Sequence, residues 1–254
     1  MQFVSWQDYW KFESIVRKEN RYFRSPEINQ FLDTVLSTCT SRIVDLPQDK
    51  YLWRAQLGHS WRPILHEYEH IADEPSPYPP ERMLPLKYEA EEGRVNPKGI
   101  PYLYLGNDKN TAMAEVRPWL GTFVSLGQFK ITKRQKLIDC SLHQNLTPIY
   151  IEEPIPEERE QAVWSHIDQA FSRPTTNTDR NADYVPTQII AELFKTNGFD
   201  GIIYKSLLGK GHNVALFNVE AARLVNCYLF EVEKIDFQFS QAANPYSIRK
   251  QAKG

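Results

Sequence analysis

The chain has 254 residues, enough for one sizeable core, with 41% hydrophobic and 24% charged residues and a formal net charge of −2, the balance of an ordinary soluble globular protein. That charge argues against a nucleic-acid surface over much of the molecule, and no apolar run approaches the roughly 20 residues of a membrane span. The N-terminus lacks the basic-then-apolar order of a signal peptide, and Cys39, Cys140 and Cys227 are too scattered for a disulfide framework or a metal knuckle, so the expected location is the cytoplasm.

In chain order, residues 6–39 read as two helices. Trp10, Phe12 and Val16 begin one apolar pattern; Ile28, Phe31, Leu32, Val35 and Leu36 give the i, i+3, i+4, i+7 spacing of a second. Ser25 and Pro26 supply its cap and first turn. Residues 1–49 are expected to form an N-terminal helical extension that packs on the main domain, residues 50–235 that domain, and residues 236–254 a tail frayed from Gln238 onward.

Residues 51–57 read as the first strand, with Arg54 in its middle. A cation in an apolar strand needs either a nearby carboxylate or an anionic ligand, and a guanidinium fork matches phosphate oxygens. Residues 60–92, marked by six prolines, read as irregular. They contain His66-Glu67-Tyr68-Glu69-His70, a formal H-E-x-x-H match. On a helix, His66 and His70 could share a zinc ion with Glu67 as general base and Glu89 as third ligand. Glu69 inside the motif and the short, proline-bounded, charged surroundings favour a solvated helical turn instead, with no metal.

The densest polar constellation spans residues 93–120. Gly93, Pro97 and Gly99 punctuate a loop carrying Arg94 and Asn96; residues 100–105 suit a buried strand with Tyr104 on it. Gly106-Asn107-Asp108 turns and caps a helix bearing Ala112 and Glu115 on one face, stopping at Pro118. Arg94, Tyr104 and Glu115 can therefore converge on one pocket suited to an anionic ligand with a positive reacting centre. Further strands are expected over 123–131, 136–139, 201–204, 214–217 and 224–232, and helices over 157–171 and 184–197. Residues 172–180 have nothing apolar to anchor them and read as a loop that could serve as a lid. The elements lack regular βα alternation, so the fold class is α+β: a mixed, mostly antiparallel sheet with inserted helices. Neither G-x-G-x-x-G nor G-x-x-x-x-G-K-[ST] occurs.

The pattern G-R-x-N-x-x-G-x-x-x-L-Y-L followed by T-A-x-x-E resembles the RES-domain family, named for an Arg, a Glu and a Ser. Two further blocks match in order: Tyr51-Leu-Trp-Arg54, supplying the Arg, and Tyr184-Val-Pro-Thr-Gln188 followed by the run from Gly198 to Ser206 and by Asn213 to Phe217, supplying the Ser. The resemblance implies a fold similar to ADP-ribosyltransferase toxins. It also implies an enzyme that breaks the nicotinamide–ribose bond of NAD, as a glycohydrolase or a phosphorylase. NAD would be the substrate, inorganic phosphate a co-substrate if the enzyme is a phosphorylase, and no cofactor is called for. Arg54, Glu115 and Ser206 are the candidate catalytic residues; Arg54, Arg94, Tyr104 and Ser206 the candidate substrate contacts. Glu115 would face the oxocarbenium-like charge, Arg54 and Arg94 the phosphates, and Tyr104 would stack on or close over the nicotinamide. Ser206 would donate to a phosphate or to the nicotinamide amide; no G-x-S-x-G elbow makes it a nucleophile. His212 reads as a solvated loop residue, and Asn213 as a residue orienting the Ser206 loop. The family includes toxins held inactive by a helix-turn-helix antitoxin, so such a partner, or a homodimer, is an expectation, with no nucleic acid bound directly. The competing readings are the zinc hydrolase and an ADP-ribosyltransferase acting on a macromolecule.

Overall fold

The computed structural model describes residues 1–86, 89–173 and 183–241. It is an α+β fold, as the element order predicts. Two helices, α1 (Asp8–Lys18) and α2 (Pro26–Thr38), lead through a short 3₁₀ turn into β1 (Ile43–Leu46) and β2 (Tyr51–Leu57). A hairpin of β3 (Ser60–His66) and β4 (Glu69–Ser76) and a single turn, α3 (Pro80–Met83), precede β5 (Leu103–Gly106) and α4 (Lys109–Glu115). There follow β6 (Phe123–Ile131), β7 (Gln135–Cys140), α5 (Pro156–Ser172), α6 (Val185–Thr196), β8 (Gly201–Lys205), β9 (His212–Leu216) and β10 (Ala222–Glu231).

Eight strands form one sheet in the order β1-β7-β8-β9-β5-β2-β6-β10. Its neighbours are antiparallel except for the parallel pair β7–β8, between which the chain makes the crossover carrying α5 and α6. Side chains alternate between two apolar layers along each central strand. Ile138, Tyr204, Ala215 and Phe217 join a cluster that also takes Phe12, Val35, Trp164, Phe171, Ile190 and Phe194 from α1, α2, α5 and α6. Leu137, Val214, Leu216, Leu103 and Leu105 face the other way, with Leu52, Phe129, Ile131 and Met83. The N-terminal helices form as their spacing predicts, and Ser25 Oγ accepts the Ile28 N–H at 3.3 Å as cap. They share one cluster with α5 and α6, and β1 extends the sheet by pairing with β7, a strand the sequence reading did not anticipate.

The stretch expected to be irregular is corrected by the structure. Residues 60–76 form a two-stranded antiparallel ribbon, paired from Ser60↔Ser76 to His66↔Glu69. Both strands of a ribbon are edges, so Pro63 and Pro75 are tolerated where a central strand would reject them. Glu67 and Tyr68 form its two-residue turn, both with positive φ (49° and 73°), the backbone twist of a tight hairpin. H-E-x-x-H therefore lies on no helix, against both readings of that motif. His66 shares a ribbon face with Glu69, while His70 pairs with Leu65, the neighbour of His66, and so lies on the opposite face. The His70 ring instead meets Asp73 Oδ1 at 3.0 Å. The two-histidine geometry that zinc hydrolysis requires is not formed.

Candidate functional site

The site opens where the sheet splays. Strands β2 and β5 share one paired position, Trp53↔Gly106, and diverge beyond it. Arg54 occupies the gap. Its Nη1 donates to the Tyr104 carbonyl at 3.3 Å, and its Nε is buried without a partner. Burial lowers the pKa of the guanidinium from its ordinary value. Among the described residues no carboxylate pairs with it, so the ion-pair alternative for Arg54 is not what the fold provides.

Tyr104 presents its ring to the same gap while its hydroxyl points back into the loop before β5. It donates to Asn96 Oδ1 at 2.7 Å and accepts the Val95 N–H at 3.0 Å. Burial pushes that phenol well above its usual range. Asn96 is the knot of the loop: its amide donates to the carbonyls of Glu91, Pro97 and Ile100 at 2.9–3.1 Å. A Cβ on Gly93 would stand 2.8 Å from both Asn96 Oδ1 and the Tyr104 hydroxyl, which is why glycine is needed there. The loop is fastened to the first turn of α6, where Gln188 Nε2 donates to the Gly93 and Asn96 carbonyls and Thr187 Oγ1 to the Arg94 carbonyl at 2.6 Å.

Helix α4 brings Glu115 to the other side. Asp108 caps it, accepting the Thr111 N–H at 2.8 Å and the Thr111 hydroxyl at 2.6 Å. Burial alone would raise the Asp108 carboxyl, but these bonds outweigh it and hold its pKa below the ordinary value. Gly106 lets β5 pass close to α4, since a Cβ there would lie 2.8 Å from the Ala112 nitrogen. At the end of the helix, Glu115 Oε1 accepts two hydrogen bonds, from Ser206 Oγ at 2.6 Å and from Asn213 Nδ2 at 2.7 Å. The Ser206 hydroxyl also accepts the backbone N–H groups of Gly209 (2.8 Å) and Leu208 (3.2 Å), so the β8–β9 loop is folded around it. That loop is tied to the capping turn of α4 by Gly211 N–H to Thr111 Oγ1 at 3.0 Å and by His212 N–H to Asn107 Oδ1 at 2.9 Å.

Three cavities follow one another along this cleft. The middle one, about 230 Å³, is lined by Trp53, Arg54, Tyr104, Glu115, Tyr204 and Asn213. A second, about 160 Å³, shares Glu115, Tyr204 and Asn213 with it and adds Arg94, Arg117 and Lys205. A third, about 450 Å³, shares Arg54 and Tyr104 with the middle one on its other side.

Thus Arg54, Tyr104 and Glu115 line one cavity, and Arg94 reaches Glu115 through the adjoining one. Two side chains are employed differently from expectation. The Arg94 fork caps the end of α5, with Nη1 on the Ala170 carbonyl at 2.7 Å and Nη2 on the Arg173 carbonyl. Ser206 is only 2% exposed and spends its proton on Glu115, so in this state it positions the carboxylate and presents no free donor to a ligand. Asn213, read from sequence as orienting the Ser206 loop, bonds the carboxylate directly. Tyr204 lines the cavity too, a placement the sequence does not signal, since a tyrosine in an apolar run shows nothing beyond strand propensity.

No curated protein matches the chain. Among solved structures it is similar to a chain of the M. tuberculosis MbcT–MbcA toxin–antitoxin complex, at 13% identity and a TM-score of 0.42, over 78% of this chain and 92% of that one. The RES-domain family model matches residues 51–240, three-quarters of the sequence and every side chain of the cleft described above, and the chain accordingly belongs to the RES-domain family.

Proposed function

We propose that the protein cleaves the bond between nicotinamide and ribose in NAD. The observation that carries this reading is the carboxylate of Glu115, fixed by two donors on one oxygen in a cleft whose nearby cation, Arg54, has no anionic partner among the described residues. In the reaction the electrons of the C1–N bond leave with nicotinamide, which departs as a neutral ring. Positive charge develops on the ribose C1 and ring oxygen. A fixed carboxylate lowers the energy of that state more than that of the ground state, where the charge sits on the pyridinium ring. An acceptor oxygen, from water or inorganic phosphate, then bonds to C1. With water its proton is released; with phosphate the product is a ribose 1-phosphate ester.

Arg54 is suited to the substrate's phosphates and Tyr104 offers a flat apolar face to a ring. Unchecked, such an activity would drain a central redox carrier, so the reading includes a neutralising antitoxin protein, as in the family's toxins. Transfer of ADP-ribose to a macromolecule would use the same first step, and product mass separates the two.

The test is incubation of the purified protein with NAD, with and without inorganic phosphate, and identification of products by mass spectrometry. Release of nicotinamide with ADP-ribose or its phosphate is expected, and Glu115→Ala is expected to abolish it while the thermal midpoint stays within a few degrees. Intact NAD under both conditions, or turnover by Glu115→Ala near that of the wild type, would overturn the assignment.

A further inference from the structure

The largest cavity of the cleft plays no part in bond cleavage as described above. It lies on the far side of Arg54 and Tyr104 from Glu115, and its volume, about 450 Å³, falls in the range of small-molecule sites. Its floor is Gln56 of β2 with Pro101 and Tyr102 before β5. Its outer wall comes from the proline-rich segment that follows the ribbon, which supplies apolar Leu84, Pro85 and Leu86 and the carboxylates Glu81, Glu89 and Glu91. Tyr102, 2% exposed, is fixed there by packing against Phe217.

We propose that this cavity receives the adenosine half of the dinucleotide, making the chain selective for NAD over nicotinamide mononucleotide; the inference rests on the reading of the site as one that cleaves NAD. The order of groups along the cleft matches the order of groups in that substrate. Glu115 stands at the nicotinamide ribose. Arg54, shared by both cavities and with a buried, unpartnered Nε, stands where two phosphates would cross from one to the other. Beyond it, the aliphatic and proline side chains offer flat contact to a purine. The carboxylates accept hydrogen bonds from ribose hydroxyls, the pairing by which acidic side chains hold the adenosine ribose of dinucleotides elsewhere. A mononucleotide would leave this volume filled with water and forgo its binding energy.

The experiment compares wild type with Leu84→Trp, which fills the cavity from a position already 38% exposed and away from Glu115. Binding of ADP is measured by titration calorimetry, and nicotinamide release is followed from NAD and from nicotinamide mononucleotide in parallel. ADP is expected to bind wild type and to bind Leu84→Trp at least tenfold more weakly. The kcat/KM for NAD is expected to fall by a similar factor, through KM, with cleavage of the mononucleotide unchanged. An equal loss for both substrates, or no ADP binding to wild type, would overturn the proposal. If neither substrate is cleaved, the NAD-cleavage reading fails, and the ADP titration still decides the subsite.

Discussion

Ser206→Ala removes one oxygen atom and with it three contacts, and their separate consequences can be worked out. The bond to Glu115 Oε1, at 2.6 Å, is a hydroxyl donating to a carboxylate. Charge-assisted bonds of this kind contribute about 1.5–3 kcal/mol. If the carboxylate acts on charge that exists only in the transition state, losing its orientation raises the barrier by up to that amount, and kcat falls about 10- to 150-fold at 1.36 kcal/mol per decade. Asn213 still donates to the same oxygen at 2.7 Å, which places the expected loss toward the lower end. The two backbone N–H groups of Leu208 and Gly209 lose their acceptor in a loop that water can reach, so stability falls by only about 1 kcal/mol. KM for NAD should move little, because the Ser206 hydroxyl faces the protein. Asn213→Ala should act alike, and the double variant should lose far more than the sum of the two, since the first loss is buffered by the remaining donor. The assay is steady-state nicotinamide release by all four proteins alongside their thermal unfolding. A Ser206→Ala enzyme with unchanged kcat and a raised KM would show that the hydroxyl serves the ligand and would refute the positioning role.

Arg54→Ala should raise KM for NAD about 10- to 100-fold with a small effect on thermal stability, since the guanidinium makes one hydrogen bond and no ion pair among the described residues; an unchanged KM and kcat would remove it from the site. Asp168→Ala should destabilise the fold by about 3–5 kcal/mol in chemical denaturation, because Arg42, at 2.9 Å from that carboxylate and 3% exposed, would be left buried and uncompensated; a loss below about 1 kcal/mol would refute that. Acid should weaken the protein from the histidine range downward. Burial first, and the Arg42 charge second, hold His143 below its ordinary pKa, and its Nδ1 faces Arg42 Nη2 at 2.6 Å, where it must accept. Burial depresses His166 and His212 as well. A base whose pKa is lower folded than unfolded binds its proton in the unfolded state first, so this stability is complete above about pH 6.5 and is lost as pH falls toward the folded pKa. Burial holds the Asp168 carboxyl up at about 6, which offsets part of that loss over the same range, so the comparison between variants is decisive: from pH 7.5 to 5 the thermal midpoint of His143→Leu should fall less than that of the wild type, and identical slopes would exclude His143.

What could be read from the chain divides along the range of the interaction. Helix periodicity exposed α1, α2 and α6, the acidic, proline-marked run ahead of α5 opened that helix, and the Asp108 cap located α4, because all these signals lie within a few residues of one another. The ribbon stayed hidden because Pro63 and Pro75 demote a strand in any local reading, and only pairing with each other's segment makes them edge residues. Strand β1 is four residues, Ile43–Leu46, too short to show an alternation, and its identity depends on β7 some ninety positions later. At the site, residue types and spacing brought out Arg54, Tyr104 and Glu115, and the resemblance to the RES-domain family added Ser206. They could not tell that the Ser206 proton is spent on Glu115, nor that Asn213 shares that task, because those are contacts across 91 and 98 positions. The Arg94 fork, similarly, went to backbone carbonyls of a helix end that no motif advertises.

The place of β1 at the rim of the sheet decides where the chain can be cut. A fragment beginning at residue 51, where the family match begins, would uncover the backbone donors and acceptors of β7 that face β1, from Gln135 to Ile138. It would also strip α1 and α2 from side chains such as Val163, Phe171 and Ile190 that they cover. A raw strand rim beside a freshly exposed apolar wall is the geometry from which chains stack on one another. Such a fragment is expected to accumulate as insoluble aggregate when expressed, whereas one beginning before Asp8 retains both the rim and the wall. The family boundary and the folding boundary of this protein differ by a strand and two helices.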